Sequence, residues 1–254
     1  MLSNIKHLVI GLGEVGRALQ KHFSCDGCDE DIPLGEQYDV VHICFPYSER
    51  FSSDVVGYTE VLGPHTIVIH STVPVGTTTG IRNHLNELAT YDPNNPNNPT
   101  IVVHSPVRGK HPFDDFAQWT KYIGGPGGQT VQPLFPKTVF TPRSETTEAL
   151  KIFDTEIYRL NILAEKAIWD FCEAHSLDYS TVYTHANKTY NEGYAGTPYK
   201  KYELSHQEGA IGGHCVIPNS RFIDLLELIW KSKTSYEPKE RGGSPDGTFS
   251  DSST

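Results

Sequence analysis

The chain has 254 residues and a formal net charge of −10 at pH 7. This length can bury a substantial core without metals or disulfides, as one large domain or two small ones, and the acidic balance argues against a nucleic-acid partner, which needs a basic face. No apolar stretch approaches the roughly 20 residues of a membrane span, and the first strand begins too early for a signal peptide. The five scattered cysteines favour reduced thiols, so we expect a cytoplasmic protein.

An apolar run at 5–10 predicts a β-strand, and residues 15–23 predict a helix. Between them lie glycines with the spacing of a dinucleotide-binding turn. Gly11 allows the tight turn, Gly13 lets the backbone approach a diphosphate, and Gly16 lets helix and strand pack closely. The cofactor candidates in this turn are Gly11, Gly13, Glu14, Val15 and Gly16. Strand, turn and helix in this order predict a Rossmann domain that binds NAD at the helix N-terminus.

Strand-like runs and helical segments alternate as far as Pro142. Further strands are expected at 39–45, 66–70 and 101–104, with weaker ones at 122–123 and 139–140, and further helices at 48–62 and 77–90. Continuous apolar strands belong to parallel sheets that are covered on both faces. The alternation therefore predicts an α/β fold with a doubly wound parallel sheet, and we assign residues 1–142 to a dinucleotide-binding Rossmann domain.

The pattern changes after Pro142. Residues 145–176 predict one long helix, because their apolar positions keep close to helical spacing, and this length favours a helix that joins two parts of the molecule or two subunits. Shorter helices are expected at 179–191 and 219–230. We assign 143–230 to a small helical central domain, and the polar, glycine-containing residues 231–254 predict a disordered tail.

Ligands of open parallel sheets bind at the carboxyl ends of the strands. In this chain those ends carry Phe45, Pro46, Ser71, Thr72 and Ser105. We expect these residues near the cofactor, and the alternative for the hydroxyl groups is simple capping of strand ends.

The ribose of NAD needs an acidic partner near the end of the second strand. Asp29 is the candidate, and it comes so soon after the glycine turn that the second strand must be short. A carboxylate there disfavours the 2′-phosphate of NADP, so NAD is the expected cofactor. Cys25 and Cys28 form a lone C-x-x-C without further zinc ligands nearby, which favours two incidental thiols.

Cys215 lies in a glycine-flanked loop just before a predicted helix, where N–H groups and the helix dipole lower a thiol pKa. It is either a nucleophile, with His214 beside it, or a buried loop cysteine. His70, His104 and His214 are placed to converge on one cleft. Structural histidines are commoner than metal ligands, however, and we expect no metal.

Several segments of the chain carry specific motifs. The most specific is Ser-Thr-Val-Pro-Val-Gly-Thr-Thr at 71–78. The others are the 11–16 glycine turn, Cys44-Phe45-Pro46, Ser105-Pro106, Glu148-Ala149-Leu150-Lys151 with Asn161-Ile162, and Gly-Gly-His-Cys-Val-Ile-Pro at 212–218. Together, over about residues 5–230, they resemble the UDP-glucose/GDP-mannose 6-dehydrogenase family and occur in that family's order.

The resemblance implies an NAD-dependent oxidoreductase acting on a small-molecule alcohol or aldehyde. Cys215 would capture an aldehyde as a thiohemiacetal, hydride transfer would give a thioester, and water would release the acid. Lys151 would hold a water or stabilise an oxyanion. Thr72 would lie near the nicotinamide, and the long helix would form a homodimer.

The chain departs from the family at several positions. Val107 stands where the family has a catalytic glutamate, and Thr155 and Asn219, which we keep as catalytic candidates, replace an asparagine and an aspartate. The family's C-terminal domain is expected to be missing, which favours a substrate smaller than a nucleotide sugar. Two alternatives stay open: an NAD-binding protein without redox turnover, and a two-electron dehydrogenase of the β-hydroxyacid type, in which Cys215 is dispensable.

Overall fold

The computed structural model describes residues 5–29, 31–33, 35–89, 100–109, 118–211 and 216–235. Residues 1–222 form one compact unit and residues 223–254 form a second. Among the helices of these described ranges, none combines the length and the apolar character that a membrane crossing requires. The sheet and the long helix both belong to the first unit, while the domain boundary at residue 142 stays a prediction.

The first unit contains a seven-stranded sheet. Its strands are β1 (His7–Ile10), β2 (Asp26–Cys28), β3 (Val40–Ile43), β4 (Thr66–Ile69), β5 (Ile101–His104), β6 (Lys121–Gly124) and β7 (Thr138–Thr141). The spatial order is β2-β1-β3-β4-β5-β6-β7, and the pairs from β2 to β5 are all parallel. The predicted α/β fold with a doubly wound parallel sheet is confirmed, and the second strand is short, as expected from the position of Asp29.

The sheet reverses direction once, which the sequence did not predict. β6 runs antiparallel to β5, and β7 is parallel to β6. Antiparallel neighbours need no crossover helix, and the described residues between these two strands, 105–109 and 118–120, contain none.

Three helices cover the parallel part of the sheet. They are α1 (Glu14–Phe23), α2 (Phe51–Leu62) and α3 (Thr77–Ala89), which follow β1, β3 and β4. α1 ends at Ser24, which adopts a left-handed conformation, and α2 ends at a left-handed Gly63 whose N–H donates to the Thr59 carbonyl. These helices begin and end within three residues of the predicted bounds.

The second half of the first unit is mainly helical. α4 (Ser144–Ala174) is 31 residues long, close to the prediction of 145–176. A π-helical turn at Ser180–His185 leads into α5 (Ala186–Gly193), and α6 (Val216–Asn219) continues as a 3-10 turn at Ser220–Phe222.

The last predicted helix, 219–230, is wrong at both ends. Helical structure stops at Phe222, and α7 (Leu225–Ser235), in the second unit, begins anew. The carboxylate of Asp224 accepts a hydrogen bond from the Glu227 N–H at 3.0 Å, which is the geometry of an N-cap and starts a separate helix. α7 also continues into the region predicted as a tail. The rest of that region, 236–254, lies outside the described residues.

The two faces of the sheet differ in composition. One face, which we call the apolar face, packs strand residues such as Ile43 and Ile67 against Phe51 of α2 and Ile81 of α3. The opposite face packs Val9, Val68 and Val103 against Leu19 of α1 and against Phe135. Side chains alternate between the faces along a strand, so His7, His42 and His70 share the face of Val9 and Val68. We call it the histidine face.

Candidate active site

The glycine turn between β1 and α1 has the geometry that a dinucleotide requires. Gly11 has φ +97°, and a Cβ there would lie 2.5 Å from the backbone nitrogen of Phe45. A Cβ on Gly16 would overlap the Gly11 carbonyl oxygen. Both positions therefore exclude a side chain, as their roles in the turn and in helix–strand packing require.

Gly13 lies in open space at the start of α1. A Cβ placed on it would meet no atom within 4 Å, and as the N-cap residue it makes no side-chain capping bond to the helix. Glu14 and Val15 begin the helix beside it. Gly13 therefore provides no side-chain cap for the N-terminal N–H groups of α1. The open space beside it can accommodate an anion such as a diphosphate.

Asp29 lies at the end of β2, next to the glycine turn. Its Oδ1 accepts a hydrogen bond from the Leu12 N–H at 2.6 Å, and the Gly11 N–H donates to the Cys28 carbonyl at 2.8 Å. These bonds hold the strand end and the turn together. The structure thus brings the predicted ribose-binding residue to the predicted diphosphate site, although the ribose contact itself stays a prediction.

The carboxyl ends of β3 and β4 are joined through Ser71. Its hydroxyl donates to the Phe45 carbonyl at 2.6 Å, and Phe45 packs against Phe51. The Ser71 hydroxyl therefore makes a strand-end hydrogen bond of the kind that the capping alternative predicted. Thr72 follows directly and is half-buried, while Pro46 is exposed at the end of β3.

Glu148 of α4 fixes the loop that follows β4. This fully buried carboxylate accepts hydrogen bonds from the Gly76 N–H at 2.6 Å and the Thr78 N–H at 2.8 Å. Burial raises the pKa of Glu148, and the two N–H donors partly oppose that rise. The carboxylate caps the N-terminus of α3, so the loop with the most specific sequence motif is attached to the long helix.

Lys151 lies one turn beyond Glu148 on α4. Burial lowers the pKa of His104, at the end of β5, to about 3, and the charge of Lys151 contributes to that shift. On the same helix, Thr147 contacts His104 at 2.9 Å, so this part of α4 packs against the carboxyl end of β5. Thr155, one turn further on, donates its hydroxyl to the Lys151 carbonyl at 3.0 Å, and Asn219 belongs to α6, which packs against α4.

Cys215, the predicted nucleophile, lies outside the described residues, as does His214. Its role therefore stays a prediction. The four described cysteines are free thiols: Cys25, Cys28, Cys44 and Cys172. Burial raises the pKa of Cys25 to about 11 and also raises that of Cys28, which makes both poor nucleophiles at neutral pH.

Ser105 and Val107 follow β5. Ser105 is fully buried, and its hydroxyl has no hydrogen-bond partner among the described residues. Val107 is 6% exposed and packs in the core of the histidine face. The position that carries a glutamate in the resembling family is thus part of the apolar packing here.

The predicted convergence of His70 and His104 is wrong. His104 is paired with Ile69 in the sheet, so it shares the face of Ile69, whereas His70, the next residue, points to the opposite face. His104 contacts Thr147 on α4, and His70 contacts His42. Within the described ranges, no group of three or more potential ligands could hold a metal ion.

The histidine face also contains a buried chain of polar side chains that was not predicted from the sequence. Nδ1 of His7 lies 3.0 Å from Nε2 of His42, and Nδ1 of His42 lies 3.0 Å from Nε2 of His70. Lys121, the first residue of β6, places its amine 3.0 Å from Nδ1 of His70. The available signal was a histidine inside each of three apolar strand segments, but only the strand register shows that they meet.

Comparisons with known proteins agree with this architecture. The chain matches no protein-family model and no curated protein. UDP-N-acetyl-mannosamine dehydrogenase from Staphylococcus aureus has a similar structure, with a TM-score of 0.60 and 17% identity over 94% of this chain and 72% of that one. A putative oxidoreductase from Mycobacterium avium 104 gives 0.58 and 16% over 76% of each chain.

A further similar structure is 3-hydroxyisobutyrate dehydrogenase from Mycobacterium tuberculosis. It has a TM-score of 0.54 and 16% identity, over 76% of this chain and 72% of that one. Likeness at these identities establishes the shared fold, a Rossmann-type sheet followed by helices.

Proposed function

We propose that this chain is an NAD-dependent dehydrogenase that oxidises a small alcohol or aldehyde. The observation that carries the proposal is the open space at Gly13, which lies at the N-terminus of α1 between two glycines that tolerate no side chain. This arrangement suits a diphosphate. An ordinary turn between a strand and a helix would not need to exclude side chains at both Gly11 and Gly16. The similar dehydrogenase structures share the fold and support the reaction class.

The residues at the carboxyl edge of the sheet would have separate roles in the reaction. NAD, when bound, supplies a hydride acceptor. Thr72 would lie near the nicotinamide, and the Lys151 ammonium would orient the substrate oxygen or stabilise its negative charge. For an aldehyde, the Cys215 thiol would add to the carbonyl, a hydride would leave from the same carbon, and water would hydrolyse the thioester to the acid and the free thiol.

Asp29 supports NAD over NADP. Its carboxylate follows β2 and is held beside the glycine turn by the Leu12 N–H, where we expect the ribose of a bound dinucleotide. A negative charge at this place repels a 2′-phosphate and accepts a hydrogen bond from a 2′-hydroxyl.

The long helix supports a homodimer as the working form. Ile157 and Phe171 on α4 are 47% and 55% exposed, and Tyr158 between them is also exposed. Contact between two copies of α4 would bury these side chains, so a second copy of this chain is the proposed protein partner.

Calorimetry with NAD and NADP tests the cofactor site directly. Gly13→Val should fold normally, because its Cβ meets open space, but should lose NAD binding because the side chain fills the room for the diphosphate. Gly80→Val, where a Cβ on α3 also meets nothing within 4 Å, is the matched control and should bind like the unmodified chain. Equal NAD affinity of Gly13→Val and Gly80→Val would contradict the proposal.

A two-electron reaction of the β-hydroxyacid type is the second candidate. Burial of Val107 in the core leaves no carboxylate at the position of the catalytic glutamate, and 3-hydroxyisobutyrate dehydrogenase is among the similar structures. NADH formation with alcohols, aldehydes, sugar nucleotides and β-hydroxyacids should be followed for Cys215→Ser and Lys151→Ala. Activity that is kept in Cys215→Ser but lost in Lys151→Ala favours this candidate. Tight NAD binding without NADH from any substrate favours a binding protein.

A further inference from the structure

The polar chain on the histidine face runs diagonally across three neighbouring strands. His42 is paired with Val9 of β1, two residues beyond His7, and with Val68 of β4, two residues before His70. Each histidine is therefore displaced by two residues from its neighbour, on the same face. The polar chain begins with His7, at the amino end of β1. It ends with His70 and Lys121, beyond the carboxyl end of β4, at the edge of the sheet where a cofactor of this fold binds.

All four members of the polar chain are buried, and His7 is the most exposed of them. It is 8% exposed, while His42 is 0%, His70 2% and Lys121 3% exposed. Phe23 of α1 stacks on both His7 and His42, at 4.3 and 4.6 Å between ring centroids. Aromatic packing thus shields the inner members from water and leaves His7 as the point of exchange.

The hydrogen bonds of Lys121 can be satisfied in two protonation states. The amine lies 2.5 Å from the Ser105 carbonyl and 3.0 Å from the Pro106 carbonyl, and 3.0 Å from Nδ1 of His70. An ammonium would donate to all three atoms. A neutral amine would donate to the two carbonyls and accept through its lone pair from His70.

Each state of Lys121 fixes the tautomers of all the histidines in the chain. With a neutral amine, His70, His42 and His7 all carry their proton on Nδ1, because each Nδ1 donates toward Lys121 along the chain. With an ammonium, each histidine carries it on Nε2 and the direction of every bond reverses. One proton entering at His7 and leaving to Lys121 converts the first state into the second, without any buried imidazole remaining charged.

We propose that His7, His42, His70 and Lys121 form one proton relay, which moves a proton between the solvent at His7 and the carboxyl edge of the sheet at Lys121. Each step breaks one N–H bond and forms the next, so one proton enters for each that leaves. Nδ1 of His70 also lies 2.7 Å from the Ser105 carbonyl, so a proton on Nδ1 can be shared between this carbonyl and the Lys121 amine. A carbonyl this close disfavours an unprotonated Nδ1, and we therefore assign the neutral amine as the resting state.

The groups around the relay favour the same resting state. Burial lowers the pKa of Lys121, with an opposing contribution from Cys44 and a further lowering by Lys151. Burial also lowers the pKa of His42 and His70. At the outer end, burial lowers the pKa of His7, Asp39 opposes that shift and His22 adds to it. The charge of His104, on the opposite face of the sheet, adds a further lowering of the pKa of His70.

The relay would serve the dehydrogenase, and this use rests on the proposed function. Oxidation of an alcohol to a carbonyl transfers one hydride to NAD and releases one proton. For this outward transfer the histidines begin in the Nε2–H form. The neutral amine of Lys121 takes up the proton at the carboxyl edge and passes it to Nδ1 of His70, each Nε2–H proton moves to the next histidine, and His7 releases its Nε2 proton to water. The neutral amine and the Nδ1–H form remain, and a return of the histidines to the Nε2–H form completes the cycle. His7, His42 and His70 would thus be proton-transfer residues that do not touch the substrate.

The tautomers can be measured in the protein without NAD or substrate. In protein with nitrogen-15-labelled histidine, we expect NMR to show the Nδ1–H form for His7, His42 and His70 at neutral pH. As the pH falls, all three should change to the Nε2–H form at one shared midpoint. Separate midpoints, or histidines that gain a second proton instead of exchanging tautomers, would overturn the relay. The experiment is independent of catalysis, so it can fail while NAD binding succeeds.

Two substitutions locate the relay more closely. Lys121→Met should abolish the shared midpoint and hold the histidines in the Nδ1–H form, whereas Lys137→Met, at an exposed lysine, should leave the midpoint unchanged. His42→Phe should separate His7 from His70 and give them different midpoints, with His84→Phe as the exposed control. A shared midpoint that persists in Lys121→Met overturns the proposal, and if His42→Phe does not fold, the Lys121 pair decides alone.

Discussion

The two faces of the central sheet are both buried, but their cores are built from different types of side chain. On the apolar face, α2 and α3 cover aliphatic strand residues and form an ordinary hydrophobic core. On the histidine face, α1 and Phe135 cover a core of similar burial that contains three imidazoles and an amine. Buried polar groups are tolerated only when their hydrogen bonds are satisfied. Among the described residues, the histidine face therefore carries most of the buried histidines that can respond to pH, and His104 is the one on the apolar face.

The largest expected effect is on the apolar face. Phe51 is fully buried against the strands, so Phe51→Ala should lower the free energy of unfolding by about 3–5 kcal/mol through lost burial and a cavity. Urea denaturation at neutral pH measures this. Val61→Ala, at a 57% exposed position on the same helix, should change stability by less than about 0.5 kcal/mol. The pH dependence of stability should stay as in the unmodified chain.

Acid should act mainly through the buried histidines. In the unfolded chain a histidine gains a proton near pH 6.5, whereas burial lowers the folded pKa of His7, His42 and His70, and lowers that of His104 to about 3. The unfolded state therefore binds more protons below pH 6.5. Stability should fall with decreasing pH, by up to about 1.4 kcal/mol per pH unit for each histidine.

Urea denaturation at a series of pH values checks that slope. The exposed-site variant His84→Asn should keep it, while His42→Phe should reduce it. A free energy of unfolding that stays constant from neutral pH to pH 5 would mean that the histidine face does not stay neutral in the folded state.

Glu148→Gln tests how α3 is attached on the apolar side of the sheet. A carboxamide offers one acceptor oxygen where the carboxylate offers two, so the Gly76 or Thr78 N–H loses its partner. The free energy of unfolding should fall by about 1–3 kcal/mol, and hydrogen exchange of these two amides should accelerate. Glu60→Gln, at an exposed position on α2, should leave both measurements unchanged.

For Lys121→Met, the expected effect is a change in the slope of stability against pH. The unfolded lysine loses its proton near pH 10.5, and burial lowers the folded pKa. The unmodified chain should therefore gain stability as the pH rises toward 10.5, by up to about 1.4 kcal/mol per pH unit. The variant should lose this gain, and the exposed-site variant Lys137→Met should keep it. The same slope in both variants would show that Lys121 is charged when folded.

The parts of the site that the sequence predicted are those built from neighbouring residues. The strand, the glycine turn and α1 lie within residues 7–23, so local spacing sufficed, and Asp29 required only a short strand before it. Lys121 lies far along the chain from His70, and their contact depends on the reversal at β6. The break before α7 depends on one capping carboxylate, Asp224, within an otherwise helical pattern.

The grip of Glu148 on the loop after β4 has a mechanical consequence. Two hydrogen bonds tie that loop to α4, and Lys151 lies only one turn from the same carboxylate. If the long helix tilts, the Gly76–Thr78 end of the loop moves with Lys151. Ser71, at the other end of the loop, stays bonded at the carboxyl end of β3, so such a tilt changes the separation between the predicted nicotinamide contact, Thr72, and the predicted substrate contact, Lys151.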